Sequence, residues 1–404
     1  MVDIHKQKVV IIGHGSTSRL GIIRAVASMG CEISVIVMTW YRHGNKSIDT
    51  RKPYDCYSKY VSHVYYCFAK DDQGLIKILL DKCIDSKQKV ILFPDSDFTA
   101  ATIDDNQDVL SSFFVFPHIG KGYGSIRHWM SKDLQKELAE DIGLYVSRAQ
   151  IIELRDGAFR IPQEIRYPCF TKALVTINGG KQLFKCCENE KELQSHLAET
   201  AKAYPNLRVF VEDYKRIDTE YAVLGFSDGK EVMIPGVIQF LRNTNSHFGI
   251  AMTGTIDPPN KYEYLLNQFR EFVLRIGFIG VFDIDFYLSD GNYYFGEINL
   301  RFGGSGYAVT RMGVNLPAML IRYLRSEDYH YLNGAIESSA SYVNERMCED
   351  DWYRGYISSE EYRKIVDSAD ISFVKDKKDP RPYRIFKIIH FARSLKLAMR
   401  RLSH

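Results

Sequence analysis

Between residues 280 and 305, apolar and aromatic positions flank a short polar run. The pattern predicts two strands joined by a turn at Ser289-Asp290-Gly291-Asn292. Upstream, β-branched runs at 9–12 and 32–37 enclose a Gly-rich turn (residues 13–21) and a helical pattern through Met29. That order is a βαβ opening for an α/β sheet. Ser18 stands where a dinucleotide fingerprint needs its third glycine, so a plain strand-to-helix turn and a phosphate contact both stay open. An apolar run at 89–93 puts Asp95 and Asp97 at the carboxyl end of a strand, where open α/β sheets keep their ligand crevice. Capping of the next helix is the expected role of these two, with substrate contact as the alternative. Ser131 is a predicted N-cap for a helix ending near Gly143. Strands are expected at 164–173, 182–185, 208–214 and 220–225, and helices at 188–204, 262–276 and 314–324.

The predicted hairpin carries candidate chemistry. Glu297 and Asn299 are two residues apart and so share a strand face, and the turn places Asp285 roughly opposite them. Hard oxygen donors converging on one face are what Mg²⁺ bridging nucleotide phosphates requires. Arg301 adds a cation on that face, and Gly303-Gly304-Ser305 offers backbone N–H groups. Lys172 alternates onto the same strand face as Phe170 and Leu174, an unusual setting for a solvent lysine.

With Asp285 upstream, the run Glu297-Ile298-Asn299-Leu300-Arg301 resembles the metal-binding strand pair of the ATP-grasp superfamily. Over residues 295–316 the chain looks closest to the D-aspartate ligase-like carboxylate–amine ligases. Carbamoyl-phosphate synthetase large chain and biotin carboxylase share the pattern more distantly. The resemblance implies a mixed α/β fold: a Rossmann-like pre-ATP-grasp domain over 1–130, a two-subdomain ATP-grasp domain over 131–325, and a helical C-terminal extension over 326–404. It implies ATP and Mg²⁺ (or Mn²⁺) as cofactors, with Asp285, Glu297 and Asn299 on the metal. Lys132 and Lys172 would contact phosphates under a mobile loop containing Gly179 and Gly180. The hinge Glu212-Asp213-Tyr214-Lys215 would read adenine and Glu220 the ribose. Arg301, with the amides of Gly303 and Gly304, would clamp an acylphosphate. Gln239, Arg242 and His247 face the reaction centre in related enzymes, and Arg242 is expected to contact a substrate carboxylate. Related enzymes are often dimers, so a homodimer is one implied assembly.

Composition adds limits. The 404 residues suffice for two or three domains, and 45% hydrophobic with 25% charged residues is ordinary globular composition. Eight cysteines without C-x-x-C spacing argue against structural zinc and a disulfide framework, which fits a reduced cytoplasmic compartment. No signal-like N-terminal run and no spanning run of ~18 apolar residues is expected. The net charge of +3 conceals an asymmetry. From Lys375 onward ten lysines and arginines face only Asp376 and Asp379, leaving a mildly acidic body with a strongly basic tail. Residues 383–402 can be drawn as one helix with an apolar arc (Ile385, Ile388, Ile389, Phe391, Ala392, Leu395, Ala398, Met399, Leu402) and a cationic side. Such a helix suits docking on the protein or a peripheral contact at the inner face of a membrane.

The expected activity is that of an ATP-dependent carboxylate–amine ligase, working through an acylphosphate on small-molecule substrates and not on nucleic acid. An inactive ATP-binding regulatory or scaffold protein is one alternative, and a carbamoyl-phosphate synthetase- or carboxylase-like enzyme another.

Overall fold

Strands β1 (Lys8–Gly13), β2 (Glu32–Thr39) and β4 (Val90–Pro94) are buried over most of their length, as near-continuous apolar strands covered on both faces must be. With β3 (Val61–Phe68) and β5 (Phe114–Val115) they form a parallel sheet of order β3-β2-β1-β4-β5. Helix α1 (Thr17–Ala27) follows β1 and α2 (Asp97–Asp105) follows β4. The computed structural model of the chain describes residues 6–41, 47–175, 183–245 and 250–402.

The Gly-rich turn has its side chains occupied internally. Ser16 caps α1, Ser16 and Ser18 donate to Asp95, and the fully buried Arg19 pairs with Asp55 at 2.6 Å. The strand-to-helix reading of this turn therefore accounts for its polar residues.

A short β6 (His118–Ile119) and α3 (Lys132–Asp141) lead into a second, antiparallel sheet. It contains β7 (Ala149–Leu154), β8 (Cys169–Ala173), β9 (Lys185–Cys187) and β10 (Leu207–Asp213), in order β7-β10-β8-β9. Helix α4 (Glu190–Ala203) seals one face through Leu193, Leu197 and Ala201. The strand expected over 164–173 occupies only 169–173, and β7 was not legible from the residue pattern.

The third sheet contains β11 (Thr219–Asp228), β12 (Val232–Met233), β13 (Val237–Asn243), β14 (Ala251–Asp257), β15 (Phe278–Ser289) and β16 (Asn292–Asn299). Two more strands, β17 (Ala340–Val343) and β18 (Ile371–Ser372), extend its edge, giving the order β16-β15-β11-β13-β14-β17-β18. Strand β11 is largely apolar because both faces are covered. Tyr221 and Val223 meet Phe269 and Phe272 of α5 (Glu263–Ile276), whereas Ala222, Leu224 and Phe226 share a core with the first sheet. That second core is completed by α6 (Gly306–Arg311) and α7 (Leu316–Leu324).

The C-terminal segment is helical, with α8 (Glu345–Arg354), α9 (Ser359–Ser368) and α10 (Pro380–Leu402). It is not a free-standing appendage, since it also supplies β17 and β18 to the third sheet. Arg24 of α1 further bonds Asp379 and the carbonyls of Phe373 and Val374, tying the segment to the first domain.

Candidate active site

The β15–β16 hairpin closes through Asp290 and Gly291, both at positive φ (48° and 77°), as a two-residue turn of the primed kind demands. Asp285 lies directly opposite Glu297, and Asp283 opposite Asn299. Between these pairs and the turn the register slips: Phe286 faces Phe295, so Gly296 is an extra residue. This bulge has a consequence for side-chain direction. Tyr287 and Tyr294 stack at 5.5 Å on the same face as Asp285, and without the extra residue Glu297 and Asn299 would point to the opposite face. Asp283 was not singled out from the sequence, although its place two residues before Asp285 puts it on that face.

Helix α3 is clamped to β16. Gln135 donates to the carbonyl of Ile298 and accepts from its amide, covering an otherwise open strand edge. This sets Lys132 against Glu297, and the two form an ion pair. Burial works to raise the Glu297 carboxyl, but Lys132, Lys172 and Arg301 overcome it and hold it at about 2. Ser131 precedes the helix as expected, yet its hydroxyl donates to Asp133 and makes no cap bond to the backbone.

Lys172 on β8 and Glu212 on β10 face the same side, because Glu212 pairs with Phe170 and Lys172 with Phe210. Glu212 is gripped by two cations: Lys172 on one oxygen and Lys136 of α3 on the other, at 2.6 Å. Burial alone would raise Glu212, but the two ammonium groups hold it at about 2. The two lysines share this single carboxylate. Lys136, nearly dehydrated and facing Lys172 and Lys132, is accordingly held below its ordinary value. Glu212, expected at the adenine, is thus paired with two lysines at the cleft wall. Lys136, one helical turn after Lys132, is the cation the sequence reading missed.

Arg301 is enclosed by acceptors. Its Nε donates to Asp97 at 3.0 Å, one terminal nitrogen reaches Asn299 Oδ1 at 3.1 Å, and the other lies 3.7 Å from Asp283. Asp283 is lifted by burial to about 6, against the pull of Arg301 and with help from Glu297 and Asp97. Asp95 is likewise lifted by burial to about 6. The N-cap role expected of Asp95 and Asp97 falls to Ser96, in a capping box with Thr99. Asp95 instead braces the Gly-rich turn, and Asp97 holds Arg301. Gly303 is required by close approach: a Cβ there would sit 2.4 Å from an Asp283 carboxylate oxygen.

A cleft of about 540 Å³ opens between the second sheet and the hairpin. Lys172, Glu212, Asp213, Tyr214, Lys215, Glu220, Asp285 and Glu297 line it, with Phe170, Phe184, Phe240 and Tyr287 as apolar walls. Glu220 accepts from Asn243, a neighbour not anticipated from sequence. Two hinge amides are already engaged: Asp213 N donates to Arg148 O and Tyr214 N to Pro168 O. Arg242 does not join the cluster as expected; its guanidinium pairs with Glu361 of α9 at 2.6 Å. Gln239 lies on β13 opposite Tyr221, while Gly179, Gly180 and His247 fall outside the described residues. No group of three or more His, Cys, Asp or Glu suited to a metal occurs among the described residues. The hairpin offers two carboxylates and one amide oxygen, a set that fits Mg²⁺ completed by phosphate oxygens and not a metal held by protein alone.

Residues 131–323 match the family described as the carbamoyl-phosphate synthase L chain, ATP binding domain. Solved structures of similar fold include an L-amino acid ligase from Bacillus licheniformis, at 14% identity and TM-score 0.59, over 83% of this chain and 79% of that one. Another is the biotin carboxylase domain dimer of Hydrogenobacter thermophilus 2-oxoglutarate carboxylase, solved with MgADP, ADP and bicarbonate. It has 18% identity and TM-score 0.64, over 83% of this chain and 74% of that one. N5-carboxyaminoimidazole synthetase from Staphylococcus aureus with ADP aligns at 17% identity and TM-score 0.60, over 83% and 82%. These likenesses show that the chain has the ATP-grasp fold, with residues 131–323 similar to the ATP-binding domain of that family.

Proposed function

We propose that this ATP-grasp protein is a carboxylate–amine ligase that activates a small carboxylate as an acylphosphate and passes it to an amine, releasing ADP and phosphate. The observation that carries the reading is the cleft itself. One 540 Å³ space joins an apolar slot, a carboxylate on the ribose side (Glu220), a phosphate cation (Lys172) and the Asp285–Glu297 pair.

In this reading the base lies between Phe170, Phe184 and Phe240, with Glu220 and Asn243 at the ribose hydroxyls, where carboxylate and amide oxygens accept well. Lys172 and Lys132 reach the phosphate oxygens. Their carboxylate partners in the protein, Glu212 and Glu297, hold both side chains at the cleft, so little ordering remains when nucleotide enters. Mg²⁺, when bound by Asp285, Glu297 and Asn299, would neutralise charge on the transferring phosphoryl group. Arg301 lies on the same face beyond Asn299 and supplies the cation for the substrate carboxylate and then for the acylphosphate. The Gly303 and Gly304 stretch leaves room for backbone N–H groups there. The amine attacks the acyl carbon, phosphate leaves, and the amine's proton must depart. Asp283, which burial lifts to about 6, is a group on this face able to take that proton close to neutral pH.

Incubating the protein with ATP, Mg²⁺ and paired panels of amino acids and other small carboxylates and amines tests this. ADP and phosphate release that requires both a carboxylate and an amine, with an amide product found by mass spectrometry, is expected. Nucleotide binding with no turnover across a broad panel would favour a regulatory role. Turnover with bicarbonate alone would favour the carboxylase-like alternative.

A further inference from the structure

Helix α10 docks on the body with the wrong face for simple self-burial. Phe386 is buried and meets Tyr54 at 5.8 Å. One turn on, His390 lies between Trp352 and Tyr362, and Arg393 pairs with Asp350 at 2.9 Å and Glu349 at 3.3 Å. The side that grips the protein is therefore partly cationic and rests on an acidic patch of α8. The apolar arc points outward: Ile388, Phe391, Leu395 and Met399 are 62%, 63%, 51% and 70% exposed. Their spacing of three, four and four residues makes one stripe, about 17 Å long at 1.5 Å per residue. Arg384 and Lys387 border one end, Lys396 runs along an edge, and all three are exposed.

We propose that this stripe seats the protein on an anionic lipid surface, with the helix lying in the plane of the interface. Four large apolar side chains on one exposed face match insertion among acyl chains, and the bordering cations match acidic headgroups. The Arg393 ion pairs and the Phe386 contact hold the helix formed before it meets lipid, so little ordering remains on binding. A second copy is a poorer occupant. Pairing two stripes would bring together two faces that are both bordered by Arg384, Lys387 and Lys396, with no described carboxylate on the helix to offset them. No described helix is long and apolar enough to cross a membrane, so the contact is peripheral.

The test uses the full chain, co-sedimented with vesicles of phosphatidylcholine alone and of phosphatidylcholine with phosphatidylglycerol. Binding to the anionic vesicles only, weakened in high salt, is expected. The double variant Phe391→Glu, Leu395→Glu should bind at least ~10-fold less. Both side chains are exposed, so its melting temperature should match wild type. Equal sedimentation of wild type and variant, or no binding to anionic vesicles, overturns the proposal. So does a concentration-dependent dimer in sedimentation velocity that the variant abolishes while neither protein binds vesicles, since the occupant would then be a second copy.

Discussion

Arg301 Nε donates to Asp97 at 3.0 Å, linking residues 204 positions apart in sequence. Asp97 opens the helix after β4 of the parallel sheet, whereas Arg301 follows the β15–β16 hairpin, so the bond ties the first sheet to the proposed site. Because Asp283 and Asn299 hold other sides of the same guanidinium, Asp97 determines which way Arg301 points. We expect Asp97→Ala to reduce ligase turnover by about 10- to 100-fold through misplacement of Arg301. ATP affinity by titration calorimetry should stay near wild type. Adding Arg301→Ala on top should cost little more, since the pair acts as a unit. Full additivity of the two losses would show that Asp97 works independently of Arg301.

Glu212 between Lys136 and Lys172 sets an acid limb of stability. Its folded pKa of about 2 lies below the ordinary value of 4.5, so the stabilisation is present above pH 4.5 and disappears as pH falls towards 2. By linkage the contribution is on the order of 3 kcal/mol. Glu212→Gln should lower stability at pH 7 by about that amount, because two buried cations lose their partner. It should also flatten the loss between pH 4.5 and 2. Urea melts across this range decide the matter, and an unchanged acid limb in the variant contradicts the assignment.

The hairpin carboxylates should govern metal dependence. Asp285→Asn or Glu297→Gln is expected to cut turnover by ~10²–10³-fold, the scale for removing a group that stabilises developing charge. The Mg²⁺ concentration for half-maximal activity should rise. Phosphate release measured over a Mg²⁺ titration reads both effects. Wild-type Mg²⁺ dependence in Asp285→Asn would place the metal elsewhere.

Gly303 lies against the Asp283 carboxylate, and a methyl group there would stand 2.4 Å from one of its oxygens. Gly303→Ala should therefore destabilise the fold by about 1–3 kcal/mol, the range for forced overpacking. It should also lower turnover by disturbing Arg301. At Gly304 a methyl group would meet nothing within 4 Å, so the same change there should cost no more than about 0.5 kcal/mol in calorimetry. Equal melting points for the two variants would refute the close contact.

Much of this site is legible locally because strand geometry is periodic. The spacing of Glu297, Asn299 and Arg301 at intervals of two, with a Ser-Asp-Gly-Asn turn before them, predicts a shared face and an opposing Asp285, and the register agrees. The Gly296 bulge escapes that count, although a glycine inside a strand is the usual signal for one. Counting back from the turn without it sets Asp285 opposite Gly296 and turns Glu297 to the other face, so the shared face of the two carboxylates depends on the extra residue.

What the sequence determined by itself was element type and side-chain direction: the hairpin, the α/β opening, the alternation that turned Lys172 inward and the amphipathic C-terminal helix. Those depend on periods of 2 and 3.6, which act over a few residues. What only the tertiary structure decided was pairing between distant charges. Arg301 could have met any of several aspartates, and Arg242 could have faced the cleft, until packing gave one to Asp97 and the other to Glu361. The last helix shows the same division. Its apolar arc was visible in the residues, but whether that arc turned inward depended on Glu349 and Asp350, which draw the cationic face onto the body and leave the arc outside.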